Sequence, residues 1–292
     1  MAHHATPQPD GPRDLPYRVA WRARNVQPGA HRGRLLGAGG LFRDMATLLE
    51  WPDPRRLDLR ASVRDPFEQL YVRRFEQKTA ITVYALVDVS ASMGFRGHMD
   101  KLDVAAAICS AMASSARRIG DRFGIIGCDR EIVPELHFPA TRSRAAETRM
   151  AAALRAFQPR RRGAGGLVAA ARRIAGRRRL VLLISDFLMP QDELTAVFAA
   201  LAAHDTVPIQ LVDSAEVASL PRWGLLPLAD METGRRQLVW LRPSLKAAWQ
   251  QGRADHDATL AALAAPYARR PFRIVDRLDW QRLGAHLTEA RA

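Results

Sequence analysis

Apolar residues in this chain fall into short unbroken runs separated by stretches with helical spacing. Ile81 to Val87 is nearly continuous apolar and β-branched, and it stops at Asp88. Leu102, Ala105, Cys109, Met112, Ala116 and Ile119 then recur at three- and four-residue steps, which is one face of an amphipathic helix. Phe123 to Cys128 reads as a second strand, and Ile132 to Phe138 as a third after the turn at Asp129-Arg130. Helices are predicted over 142–157 and 166–176. Leu180 to Ile184 is a purely apolar fourth strand ending in Ser185-Asp186, and Asp192 to His204 is the next helix. Val207 to Val212 is the fifth strand, ending at Asp213, and Phe272 to Val275 the sixth, ending at Asp276.

Apolar strands alternating with amphipathic helices predict a parallel sheet covered on both faces. The fold class expected is therefore α/β, a doubly wound, mostly parallel sheet with strand order 3-2-1-4-5-6. Residues 214–242 interrupt the rhythm. There Leu225 to Leu228 and Gln237 to Leu241 flank the turn signal Glu232-Thr233-Gly234, so a β-hairpin insertion is expected. Pro243 opens a long helix predicted to reach Arg269, at a position where proline is tolerated.

Upstream the pattern is weaker. Residues 1–45, rich in Pro, Gly and Arg, read as an extended N-terminal arm ordered by lying on the main body. Residues 46–79 form a charged segment with a short helix at Met45–Glu50, an alternating Asp/Arg run from Asp53 to Arg64, and a half-exposed edge strand at Tyr71–Phe75. The Asp/Arg run would form ion pairs locking this segment to the domain, which occupies residues 80–292.

The chain of 292 residues carries a formal charge of +14, and only three of its 44 basic residues are lysines: Lys78, Lys101 and Lys246. That excess calls for an acidic partner, whether nucleic acid, an anionic membrane or a protein face. Its densest clusters, Arg160–Arg162, Arg172-Arg173 and Arg177–Arg179, sit near predicted helix ends, where solvated positive charge is the ordinary outcome. Cys109 and Cys128 lie in apolar segments without metal or redox spacing, as expected of buried thiols in a reducing compartment. No secretory leader is evident, and no stretch approaches the roughly 18 apolar residues that cross a bilayer. A cytoplasmic location is expected.

The informative segment is Asp88-Val89-Ser90-Ala91-Ser92, on the loop leaving the first strand. In the expected topology strands one and four are neighbours at the switch point, so Asp88 and Asp186 meet at the carboxyl edge of the sheet. Asp88, Ser90, Ser92 and Asp186 make an all-oxygen set suited to a hard cation such as Mg²⁺. An ion there would offer a vacant position to an acidic side chain of a partner protein.

Asp88-x-Ser90-x-Ser92 with the later Ser185-Asp186 resembles the metal-ion-dependent adhesion site of von Willebrand factor type A domains. A second resemblance, to the bacterial domain-of-unknown-function family 58, rests on Asp53-Pro54-Arg55-Arg56-Leu57-Asp58, Arg60-Ala61-Ser62, Val72-Arg73-Arg74-Phe75-Glu76 and Asp230-x-Glu232-Thr233-Gly234. It implies a von Willebrand factor type A-like domain and a MoxR-type AAA+ ATPase as partner. Similarity to the short members found with methanol-oxidation genes implies methanol dehydrogenase maturation as a client. One departure stands out. The adhesion site normally takes a threonine from a Gly-Gly-Thr-Asp-Leu-like stretch, and here it reads Gly163-Ala164-Gly165-Gly166-Leu167.

Three functions follow. A non-catalytic protein-binding adaptor requires an open polar crevice at the sheet edge. A metal-assisted or serine hydrolase requires a base beside the serine, for which His98 is the nearest histidine in sequence, and no Gly-x-Ser-x-Gly elbow is present. Nucleic-acid binding would use the positive charge, but Trp21, Trp51, Trp223, Trp240, Trp249 and Trp280 are scattered rather than interleaved with basic clusters. The adaptor is the reading that agrees with the residues present. The chain has no nucleotide-binding loop, so dependence on ATP would come from a partner.

Overall fold

The computed structural model describes residues 15–22, 28–159, 161, 163–174, 176–218, 221, 223–229 and 236–289. The elements in order are β1 (Pro28–Thr47), α1 (Leu59–Arg64), β2 (Tyr71–Thr79), β3 (Thr82–Asp88), α2 (Lys101–Arg118), β4 (Arg122–Cys128), β5 (Ile132–Thr141), α3 (Arg144–Ala156), α4 (Gly166–Arg173) and β6 (Leu180–Ser185). Then come α5 (Gln191–Leu201), β7 (Asp205–Val212), α6 (Ala215–Ala218), β8 (Gly224–Ala229), β9 (Arg236–Leu241), α7 (Pro243–Ala264), β10 (Phe272–Val275) and α8 (Trp280–Thr288).

The central sheet has the order β10-β7-β6-β3-β4-β5. Counted from β3 as strand one, this is 6-5-4-1-2-3, the expected doubly wound order. β10, β7, β6, β3 and β4 pair in parallel, and β5 closes the edge antiparallel to β4. The sheet is thus the doubly wound, mostly parallel arrangement expected. Every residue of β6 and β7 is buried, which is why their interiors are mostly apolar rather than alternating, with the polar residues Asp205, Thr206, Gln210 and Ser185 buried among them.

Alternate side chains serve two cores. Val83, Ala85, Val87, Leu182 and Ile184 pack under α2, α3 and α8. Leu86, Ile126, Val181 and Leu183 pack under α4, α5 and α7 on the other face. α2 is held at both ends. The Asp100 carboxylate accepts the N–H groups of Leu102 and Asp103, and Gly120 takes the left-handed conformation just beyond the last turn, with φ 84°.

The upstream region departs from expectation. Residues 15–22 lie on the body: Leu15 and Tyr17 are buried, the Leu15 N–H donates to Ser115 Oγ, and the Arg18 N–H donates to the Leu287 carbonyl. β1 then runs through the boundary expected at residue 45 and pairs antiparallel with β2. The helix expected at Met45–Glu50 does not form. Ala46 pairs with Val72 and is buried, while Phe42 meets Phe75 edge-on, so cross-strand contacts override the local helical spacing. Ion pairs form, with Arg73 on Asp58 and Arg74 on Asp44 at 2.6 Å and Arg56 on Asp53 at 3.1 Å, but these tie the upstream segment to itself rather than to the domain. β8 and β9 form the expected hairpin, whose turn at Glu232-Thr233-Gly234 lies outside the described residues, as do residues 1–14, Arg160 and Arg162.

α7 ends at Ala264, short of the predicted Arg269. Arg269 instead turns inward. Its guanidinium binds both carboxylate oxygens of buried Asp205 at 2.8–2.9 Å and donates to the carbonyls of Leu287, Glu289 and Arg18. A buried Asp121 does similar work nearby, accepting from the Tyr17 hydroxyl and the Ile81 N–H and lying 2.7 Å from His31 Nε2.

Candidate functional site

At the carboxyl edge of the sheet, β3 delivers Asp88 and its neighbour β6 delivers Ser185 and Asp186. The loop after β3 turns at once into a short 3-10 turn, Ala91–Gly94, which brings Ser90 and Ser92 over the strand ends. Asp88, Ser90, Ser92 and Asp186 therefore share one notch. Asp88 Oδ1 accepts the Ser90 N–H at 2.9 Å, and Asp88 Oδ2 accepts the Ser185 hydroxyl at 2.6 Å. Ser90 Oγ lies 3.2 Å from Ser92 Oγ. Asp186 Oδ1 accepts the Leu188 N–H at 3.1 Å. Phe187, between them, holds a left-handed φ of 58°, a conformation uncommon outside glycine, and buries its ring against Phe198.

The notch is closed, contrary to the expected open crevice. Asp88, Ser90 and Asp186 are each 1% exposed and Ser92 is 5% exposed. Burial, followed by the negative charge of Asp186, pushes the Asp88 carboxyl far above the ordinary carboxylate range, and hydrogen bonds from Ser185 and Ser90 oppose that shift only in part.

A fifth residue, absent from the sequence expectation, enters the notch from the start of α2. Lys101 is fully buried, and its Nζ donates to Asp186 Oδ2 at 2.8 Å and to the Ser92 carbonyl at 3.2 Å. The same ammonium pairs with Glu216 Oε1 at 2.7 Å, and Glu216 pairs in turn with Arg253 of α7. Burial alone would lower the Lys101 pKa, but Asp186 and Glu216 outweigh it and keep the ammonium charged.

The approach to Lys101 is built by Asp213 at the end of β7. Its buried carboxylate accepts the backbone N–H groups of Gly97, His98, Met99 and Ala215 at 2.9–3.1 Å. His98 is held there by its backbone, with an exposed side chain. Gly97 admits no substituent, since a Cβ would lie 2.5 Å from Ala215 Cβ and 2.7 Å from Asp213 Oδ1.

This donor set does not fit a resident Mg²⁺. Both oxygens of Asp186 are engaged by donors of the protein, one of them a cation, and the third position of the Gly163–Leu167 stretch, where a threonine hydroxyl would stand, is Gly165. Among the described residues, no cluster of three or more His, Cys, Asp and Glu side chains is arranged to hold a metal. The two cysteines are buried, and burial pushes both thiols up, away from reactivity.

A second feature lies on the family-specific segment. A cleft of about 460 Å³ is lined by Arg55, Arg56, Arg60 and Arg73 with Leu57, Asp58, Leu59 and Phe75. Arg56 stacks over the Phe75 ring at 5.4 Å, and Leu59, Val63 and Phe67 stand exposed nearby in the sequence. Elsewhere arginines are spent within the molecule, with Arg178 over Trp21 and Arg179 over Tyr84.

Comparison with known proteins places these features in a family. The chain is 41% identical over 97 residues to a Paracoccus denitrificans protein described as lying in the moxR 3′ region, a match covering 33% of this chain and 92% of that one. It is 26% identical over 254 residues to a Mycobacterium tuberculosis protein, covering 85% and 78% of the two chains. Solved structures that resemble it include BatB from Bacteroides thetaiotaomicron, with 12% identity, a TM-score of 0.42 and coverage of 71% of this chain and 97% of that one. The SpRpn10 VWA domain resembles it with 11% identity, a TM-score of 0.37 and coverage of 72% and 94%. Among the described residues, no helix is long and apolar enough to cross a membrane. Residues 52–259, more than half of the chain, match the family model described as Protein of unknown function DUF58, and the chain belongs to that family.

Proposed function

We propose that this protein is a non-catalytic, cytoplasmic binding adaptor that works with a MoxR-type AAA+ ATPase in assembling or activating another protein complex, methanol dehydrogenase being the candidate client. The observation that carries the reading is the relative placed in the moxR 3′ region, matched over 92% of its length. The site supports it from the negative side. Ser90 and Ser92 are hydrogen-bonded to each other and buried, which supports a non-catalytic reading, because a nucleophilic serine needs both access to its substrate and a neighbouring base.

Because the Asp88–Asp186 notch is closed, the docking face proposed is the arginine-lined cleft. Arg55 and Arg60 are exposed, and the cleft lies within the family-matched residues. Arginine flanked by apolar side chains suits an acidic protein segment, which gives charge-assisted hydrogen bonds and apolar burial together. The test is association of the full chain with the MoxR-type ATPase of the same organism, measured by biolayer interferometry with and without ATP. Association weakened at least ~10-fold by the Arg55→Glu/Arg60→Glu pair is expected. Absence of association in every nucleotide state refutes the reading.

A further inference from the structure

The chain uses arginine almost everywhere it needs a cation, yet the cation that it buries in the notch is one of its three lysines. Lys101 is the first residue of α2, where the helix dipole disfavours positive charge. It is fully buried there, which a lone ammonium does not tolerate. Three acceptors account for it: Asp186 Oδ2, the Ser92 carbonyl and Glu216 Oε1, all within 3.2 Å and together using the three N–H donors of an ammonium.

We propose that the Lys101 ammonium is the resident cation of this notch, standing in for the divalent ion of the adhesion sites that Asp88-x-Ser90-x-Ser92 resembles, so that the domain assembles its sheet-edge loops without metal. Charge supports the exchange. Asp186 and Glu216 already have Lys101 and Arg253 against them, and a divalent ion beside Asp186 would face the ammonium at close range. The loop before β6 supports it independently. At Gly166 an added Cβ would come within 2.6 Å of the Glu131 backbone, so that glycine is imposed by packing. At Gly165 the nearest atom to an added Cβ is the Arg130 carbonyl oxygen at 3.8 Å, and the backbone is right-handed with φ −57°. A hydroxyl-bearing residue would fit there, and the chain has none. The missing ligand is a property of a lysine-filled site rather than a steric necessity.

The inference stands apart from the adaptor reading, because no partner enters its test. The full chain is titrated with Mn²⁺ and followed by electron paramagnetic resonance, and its melting temperature is compared in Mg²⁺ and in EDTA. The wild type is expected to show no saturable Mn²⁺ binding up to ~1 mM and no shift in melting temperature. Lys101→Met/Gly165→Thr, with the ammonium removed and the hydroxyl supplied, is expected to melt below the wild type in EDTA and to regain several degrees in Mn²⁺. Saturable wild-type binding that Asp88→Asn abolishes overturns the proposal. An equal response of wild type and double variant to Mn²⁺, zero included, also overturns it. If the double variant does not fold, the wild-type titration decides alone.

Discussion

Replacing Asp213 by alanine removes one carboxylate and strands four backbone donors. The N–H groups of Gly97, His98, Met99 and Ala215 all point at it. A hydrogen bond to a charged acceptor contributes ~1.5–3 kcal/mol, but only where water does not replace the lost partner. Gly97 and His98 lie on the solvent side and re-solvate, whereas Met99 and Ala215 are buried. The net loss from the two buried donors is therefore ~3–6 kcal/mol. At roughly 2 °C per kcal/mol for a chain of this size, the melting temperature falls by ~6–12 °C. Hydrogen exchange read by mass spectrometry localises the effect: the amides of residues 97–99 lose protection at least ~30-fold while those of β6 keep theirs. Asp213→Asn retains one acceptor oxygen and falls between. Protection at 97–99 within about twofold of the wild type in Asp213→Ala would refute the account of this loop. The pH dependence follows from the same contacts. Burial pushes the Asp213 carboxyl up, but the four N–H groups together outweigh it and hold the pKa below the ordinary 3.8. With the folded value depressed, the stabilisation is complete above the unfolded pKa and is lost as pH falls through the folded one. The stability gap between wild type and Asp213→Asn is thus constant at neutral pH and shrinks below about pH 4.

Arg269→Ala leaves Asp205 buried without its partner and removes the guanidinium donor from the carbonyls of Arg18 and Glu289, while the Leu287 carbonyl keeps the Arg18 N–H, so urea unfolding should show a loss of ~3–5 kcal/mol, and limited proteolysis should cut first at residues 15–22. Two glycines give opposite signs in the same melting assay. Gly97→Ala drives a Cβ into Ala215 and Asp213 and costs ~1–3 kcal/mol, while Gly165→Ala makes only an ordinary van der Waals contact with the Arg130 carbonyl in a helical conformation and is neutral or stabilising by ~0.4–1 kcal/mol. A destabilised Gly165→Ala would show that the loop before β6 is packed more tightly than its geometry indicates.

The buried half of the fold was legible because its strands carry continuous apolar runs, such as Ala85–Val87, Leu180–Ile184 and Leu211-Val212, and such runs admit few structures. The doubly wound strand order makes strands one and four neighbours, which brings Asp88 to Asp186. β1 was not legible. Its run of Gly and Arg has no period of its own, and its partner β2 starts more than twenty residues after β1 ends. At Met45–Glu50 the local spacing favoured a helix, and pairing of Ala46 with Val72 overruled it. Lys101 was missed for a related reason: Asp100-Lys101-Leu102 reads as the solvated start of a helix, and its acidic partners are 85 residues downstream at Asp186 and farther still at Glu216. Two clues were present in the sequence, a lysine in an arginine-dominated chain and a cation in a first helical turn. Either one marks a charge whose partner lies elsewhere in the fold.

The side chain of Arg269 grips Arg18, a sheet strand and the end of α8 at once, joining residues 251 positions apart. Both described extremities are thereby stapled across a single guanidinium. Neither can fray by itself, because peeling one leaves that buried group short of acceptors that the other cannot replace. Unzipping from an end, the cheapest route by which thermal fluctuation or a protease opens a domain, is shut on both sides, and escape must wait for a larger cooperative opening.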